Sequence, residues 1–139
     1  MIKAVYDTNI IVSGIIARGR PYILLNLVYN HLINLFVSPA LLKEYETVLK
    51  RPKFKPFHQE IPKLLDFIRE HAKVIKPKIK VDRIPEDLAD NRILECALEG
   101  KVDYIVTGNK KHFPFKEFEK IKVVDPGEFL MVVGMKLFK

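Results

Sequence analysis

The 139 residues carry 24 Lys and Arg against 17 Asp and Glu, a formal net charge of +7, and 48% of them are hydrophobic. That length and apolar content suffice for one globular domain, residues 1–139, with a sizeable core of its own. The single cysteine, Cys96, excludes an internal disulfide and a cysteine-built zinc site, and no apolar run approaches the length of a membrane span. The sequence opens directly on an apolar run without a signal peptide, so a cytoplasmic chain away from any membrane is expected. The excess positive charge suits a partner with a phosphate backbone, although a Lys-rich solvated surface gives the same balance.

The first element is a short β-branched and aromatic run, Ile2 to Tyr6, read as a strand buried on both faces. It ends in Asp7 and turns into a helix capped by Thr8 or Asn9. Arg18-Gly19-Arg20-Pro21 breaks that helix and opens another, whose inward face is read as Tyr22, Leu25, Val28, Tyr29 and Leu32, widened by Ile23, Leu24 and Leu27. Leu35-Phe36-Val37 is a second buried strand, and Ser38-Pro39 pairs a cap with a first-turn proline. The helix that follows carries Leu41, Tyr45, Val48 and Leu49 inward, with Glu44 flanking the stripe.

A basic connector, Arg51 to Pro56, leads to a helix with Ile61, Leu64, Leu65, Ile68 and Ala72 on its buried face. Val74-Ile75 reads as a short strand and Lys76 to Lys80 as an exposed edge or linker. The segment from Pro85 to Gly100 is an acid-rich helix start, an amphipathic body and a glycine stop. At 3.6 residues per turn, Asp90 points the same way as Leu94 and Ala97. Tyr104-Ile105-Val106 and Val123-Val124 are further strands, and Pro126 opens a last helix with Phe129, Leu130 and Val133 inward. This alternation of strands and helices predicts a three-layer α/β/α sandwich around a mostly parallel central sheet.

In such sheets ligands bind outside the carboxyl ends of the strands. Three strand exits here are polar: Asp7; Ser38, followed by Glu44; and Thr107-Gly108-Asn109. Asp90, on the inward face of the helix feeding the Tyr104 strand, can join them. Taken singly, Asp7 could be a turn-former, Glu44 a solvated helix residue, Asp87 a dipole partner, and Ser38 and Thr107 caps. Taken together they gather carboxylates at one edge, which repel one another unless a cation intervenes. All-oxygen ligands select a hard ion, Mg²⁺ or Mn²⁺. His31, His58, His71, His112 and Cys96 show no zinc-like spacing. The chemistry this suggests is metal-assisted hydrolysis of a phosphodiester.

The ordered set of motifs carries a resemblance. Asp7-Thr8-Asn9, the Glu44 helix after Ser38-Pro39, Asp87-x-x-Asp90-Asn91-x-Ile93-Leu94-x-x-Ala97-Leu98 and Asp103-Tyr104-Ile105-Val106-Thr107-Gly108-Asn109 resemble PIN-domain proteins over essentially the whole chain. The resemblance implies a PIN fold, Mg²⁺- or Mn²⁺-dependent endoribonuclease activity, and the toxin role of a VapC-like toxin–antitoxin pair, usually dimeric. Asp7, Glu44 and Asp90 match the family's metal-binding acids. Asp87 would be an auxiliary acid, and Asn9, Ser38 and Thr107 polar supports. The family usually places another acid after the last site strand, where this chain has Asn109, or three residues on, where it has His112. Asp103 cannot stand in, since it starts that strand, roughly 13 Å away. Asn109 offers an amide oxygen without charge, so a three-carboxylate site holding one ion well is expected.

For RNA the rim candidates are Arg18, Arg20, Lys43, Lys110 and Lys111, with Lys50 to Lys55 and the interleaved Phe54 as a second patch. A phosphoacceptor signalling domain also gathers acids at this edge, but it needs a pair of acids after the first strand and an Asp closing a central one. A PIN-like protein that binds RNA or a partner without cutting is the other reading that Asn109 leaves open.

Overall fold

The computed structural model describes residues 1–17, 19–81, 88–113 and 115–137. Strands β1 (Lys3–Tyr6), β2 (Asn34–Val37), β3 (Lys73–Val74), β4 (Tyr104–Val106), β5 (Glu117–Phe118) and β6 (Ile121–Val124) form one sheet in the order β3-β2-β1-β4-β6-β5. All neighbours pair in parallel except β5 with β6. Helices α1 (Thr8–Ile16), α2 (Arg20–Tyr29), α3 (Pro39–Leu49), α4 (Glu60–His71), α5 (Leu88–Gly100) and α6 (Pro126–Leu137) make the connections. This is the mostly parallel α/β arrangement the sequence predicts. The strand order reverses between β1 and β4, so the edge where both end is the topological switch point.

Register shows which helices cover which face. Ala4 pairs with Tyr104, and Tyr6 with Val106, so these four side chains share one face. On that face the Tyr6 hydroxyl donates to the Leu24 carbonyl of α2 at 3.0 Å, and Phe129 of α6 meets Tyr6 and Tyr104 edge-on. Val5, Phe36 and Ile105 point the other way. There α5 lies so close that a Cβ on Gly100 would come within 2.6 Å of the Phe36 ring. The sheet is thus buried on both sides, as its run of β-branched strands requires.

Several sequence readings are corrected in detail. The cap of α1 is Asp7 rather than Thr8 or Asn9, because its carboxylate accepts the Asn9 N–H. The short strand is Lys73–Val74, one residue earlier than read, with Ile75 still bonded to the Val37 carbonyl at 2.7 Å. The buried face of α2 is Leu24, Leu25, Leu27 and Val28, while Tyr22, Ile23, Tyr29 and Leu32 are exposed. Gly100 does not supply the left-handed stop of α5. Lys101 adopts it instead, at φ 51°, and Gly100 is small because Phe36 presses on it. The hairpin β5–β6 went unread. Its two-residue turn, Glu119-Lys120, has φ of 49° and 72°, a type I′ geometry.

Lys76 to Lys80 is the exposed linker that its lysines suggest, and the described part of the connector is fastened to α5. Lys78 N–H donates to Glu99 at 2.8 Å, and Val81 is clamped at both backbone groups. Its N–H donates to Glu95 Oε2 at 2.8 Å, and its carbonyl accepts from Arg92 at 3.3 Å. Arg92 and Glu95 pair with each other at 2.8 Å, with the glutamate side chain 6% exposed. Among the described residues no single helix is long and apolar enough to cross a membrane.

Candidate metal and nuclease site

Asp7 sits immediately beyond β1 and is 5% exposed. Its backbone N–H continues the β1–β4 ladder by donating to the Val106 carbonyl at 2.9 Å, so sheet pairing fixes where the side chain starts. One carboxylate oxygen accepts the Asn9 N–H at 3.4 Å. The other accepts the Thr107 hydroxyl at 2.6 Å, a length typical of a hydroxyl donating to a charged oxygen. The Thr107 oxygen in turn accepts the Asn109 N–H at 3.1 Å. Asp7, Thr107 and Asn109 therefore form one hydrogen-bonded chain across the ends of β1 and β4. A carboxylate has about four lone-pair positions, so one held in this way can still ligate an ion.

Tyr45, which the sequence reading placed only in the core, belongs to this edge. Its hydroxyl donates to the carbonyl of Tyr6, the last residue of β1. Burial, then the neighbouring Cys96, Asp7 and Tyr6, push its pKa well above the usual phenol value. Only the one-residue offset from Glu44 hinted at this role. Ser38, at the end of β2, caps α3 through the Leu41 N–H at 3.1 Å. Its hydroxyl also bonds Cys96, whose thiol is pushed up to about 12 by burial despite that bond. Ser38 thus serves α3 and Cys96.

Asp90 lies in the first turn of α5, 4% exposed, next to the fully buried Asn91. The inward orientation expected from helical spacing is observed. The last turn of α5 leads to Asp103, whose carboxylate accepts the Lys3 N–H at 3.0 Å where β1 begins. Because α5 runs antiparallel to the strands, its first turn lies at their carboxyl edge, with Asp7. Asp103 is confirmed at the opposite edge. Glu44 is half-buried on α3 and makes no hydrogen bond or ion pair among the described residues. Among the described residues no three His, Cys, Asp or Glu side chains are grouped closely enough to hold an ion. The donor types nonetheless fit a hard divalent cation, being oxygen only and including two buried carboxylates.

The rim is basic in part. Arg20 begins α2, is exposed, and reaches over Gly127 at the start of α6. Lys43 and Lys111 are exposed. Lys110 is already ion-paired, with Glu128 at 2.7 Å and Asp125 at 4.0 Å. Glu128 and Asp125 cap α6 reciprocally: Glu128 N–H donates to Asp125 at 2.8 Å and Asp125 N–H to Glu128 at 3.0 Å. Lys110 so ties the turn after β4 to that cap. The side chain of Asn9 is exposed, and its bond to Asp7 comes from its backbone. Arg18 and Asp87 lie outside the described residues.

A doubly wound, mostly parallel sheet with buried carboxylates at its switch-point edge is an α/β scaffold that presents acids where such sheets bind ligands. The chain belongs to the PIN domain family, whose model matches residues 3–111. PIN domains are in general metal-dependent nucleases. The uncharacterized protein MJ1680 of Methanocaldococcus jannaschii is 29% identical over 141 residues, spanning 93% of this chain and 90% of its own length. The structure also matches the crystal structure of VapBC2 from Rickettsia felis bound to a DNA fragment from their promoter. That match has a TM-score of 0.60 at 18% identity and covers 89% of this chain and 98% of the other. At that identity it shows the fold.

Proposed function

We propose that this chain, acting as one domain over residues 1–139, is an endoribonuclease dependent on Mg²⁺ or Mn²⁺. The observation that carries the reading is Asp7, a buried carboxylate held at the switch point by Thr107 with Asn109 behind it. Asp7, Glu44 and Asp90 would hold the ion, and Asn109 would add a neutral amide oxygen. When bound there, a hard divalent cation supplies charge to polarise the phosphoryl oxygen and lowers the pKa of a water. Thr107 fixes the direction of the Asp7 carboxylate. Arg20, Lys43 and Lys111 attract the phosphate backbone, with Lys110 beside them but tied to Glu128, so RNA affinity should fall steeply with salt. Arg18 and Asp87 are proposed for the rim and the auxiliary acid on sequence grounds alone.

In a cell we place the protein in the cytoplasm as the toxin of a toxin–antitoxin pair, dimeric and bound by a cognate antitoxin. The likeness to a VapBC2 complex supports that partner. The test is cleavage of a mixed single-stranded RNA with Mn²⁺ or Mg²⁺, with EDTA controls, comparing wild type, Asp90→Ala and Asn109→Asp. Metal-dependent cutting that is lost in Asp90→Ala is the expected result. A gain in Asn109→Asp would show that the missing charge limits the rate. The neutral Asn109 also favours a second reading, a PIN domain that binds RNA without cutting. Folded wild-type and variant proteins that all leave RNA intact would establish that reading in place of the first.

A further inference from the structure

We propose that the hollow just beyond β4 is a nucleotide subsite, in which one base of a single-stranded RNA stacks on Phe115 while its flanking phosphates meet Lys111 and Lys116. The proposal rests on the ribonuclease reading of the adjacent edge and names how the substrate strand leaves it. The hollow has a volume of about 350 Å³ and is lined by Lys110, Lys111, Phe113, Phe115 and Lys116. That size lies within the range of small-molecule sites, about 300–1,000 Å³. Phe113 is 4% exposed and forms a floor. Phe115 is only half-buried, and its ring leans on Phe118 with centroids 5.0 Å apart. One side of the ring is therefore braced by the core while part of it remains open to the hollow.

Position gives the hollow its meaning. Lys110 follows Asn109 directly, and Asn109 is bonded to Thr107 at the candidate metal edge. From the other side, the Lys116 carbonyl accepts the Val123 N–H at 2.8 Å, while the Val124 carbonyl accepts the Thr107 N–H at 3.0 Å. Both walls are thus fastened to the strand ends that carry the site. Among the described residues no acid lines the hollow. Lys110 is neutralised by Glu128, but Lys111 and Lys116 are exposed and make no ion pair among the described residues. A half-open aromatic ring sharing one hollow with two lysines is the recognition chemistry of a base and its phosphates, and it accepts any base because each has a π-face.

The experiment is fluorescence anisotropy of the full chain with a short single-stranded oligoribonucleotide in EDTA, so that binding is read without cleavage. A strand with one abasic position serves as the comparison. Phe115→Leu keeps the apolar brace against Phe118 but removes the π-face. It should weaken the intact RNA roughly five- to a hundredfold and change the abasic strand little. Lys111→Gln and Lys116→Gln should each lower the salt slope by about 0.7, whereas Lys63→Gln on α4 should not. A fluorescent adenine analogue in the strand should be quenched on binding to wild type, which reads stacking even if a variant misfolds. Equal affinity of wild type and folded Phe115→Leu for intact RNA, no quenching, or no RNA binding by wild type would each overturn the subsite. Cleavage separates the two ideas. RNA that binds with Phe115 dependence yet is never cut refutes the nuclease and keeps the subsite. Cutting with KM indifferent to Phe115→Leu refutes the subsite alone.

Discussion

Replacing Thr107 by Val tests the physical core of the site. Thr107 is fully buried, so no water can take over the two hydrogen bonds its oxygen makes. The bond to Asp7, at 2.6 Å, ends on a charged group and is worth about 1.5–3 kcal/mol. The bond from Asn109, at 3.1 Å, is an ordinary one in a half-buried place, worth about 0.5–1.5 kcal/mol. Thr107→Val keeps the shape and should cost roughly 2–4 kcal/mol. For a chain of 139 residues, the unfolding entropy converts each kcal/mol into roughly 3–4 °C of Tm. The expected fall is roughly 7–14 °C. Thr107→Ser keeps the hydroxyl and loses a methyl, for about 1 kcal/mol. Urea and thermal unfolding give both numbers, and calorimetric titration with Mn²⁺ shows whether a loosened Asp7 binds the ion less well. If Val and Ser variants are equally stable and bind Mn²⁺ like wild type, the Thr107 hydroxyl does not hold Asp7 and the reasoning fails.

Gly100→Ala sets a gain of up to about 1 kcal/mol in helix propensity against a Cβ 2.6 Å from a buried ring. Overpacking costs about 1–3 kcal/mol, so urea unfolding should show a net loss, and a more stable variant would mean that Phe36 yields freely. The Cys96 thiol, pushed up to about 12 by burial, stays protonated in the folded protein while the unfolded thiol ionises near pH 8.5. Stability should therefore be intact below pH 8.5 and decline above it, by about 1.4 kcal/mol per pH unit. Cys96→Ala should flatten that decline, and a parallel decline in both proteins would point to another group. Glu95→Gln retains an acceptor for Val81 but breaks the pair with Arg92, a half-buried cation. A loss of about 1–3 kcal/mol is expected, with faster amide exchange at Val81, and unchanged exchange there would show that Arg92 is not what fastens the connector.

What the sequence made legible followed from strong local signals. Three central strands were readable because each is a compact apolar run closed by a polar residue, and parallel sheets bury both faces of such runs. Asp90 was readable because helical spacing alone turns it inward. Asp103 was correctly separated from the site because β4, which it precedes, carries the chain from one end of the strands to the other. The hairpin at Glu119-Lys120 was not legible, since two left-handed residues normally announce themselves as Asn-Gly. Gly100 looked like a helix stop because its actual reason, the Phe36 ring, lies far off in sequence. The face of α2 was misjudged because its apolar residues exceed what one face can bury, and only packing decides which turn outward. Tyr45 was passed over because a buried tyrosine on an apolar stripe looks like core until its hydroxyl is located.

The bond between Thr107 and Asp7 joins residues 100 positions apart, and the strands that carry them are next neighbours. During synthesis the first strand has no β4 to lie against until the residues between them have been made. At 5–20 residues per second that interval is roughly 5–20 s. The chain must also close the longest loop between any two paired strands to complete the pairing, which places this contact among the late, slow events of folding. A nascent or truncated chain that stops short of β4 therefore holds its first acid without the hydroxyl that aims it. If the chain cuts RNA as proposed, that machinery stays unassembled until β4 has been made.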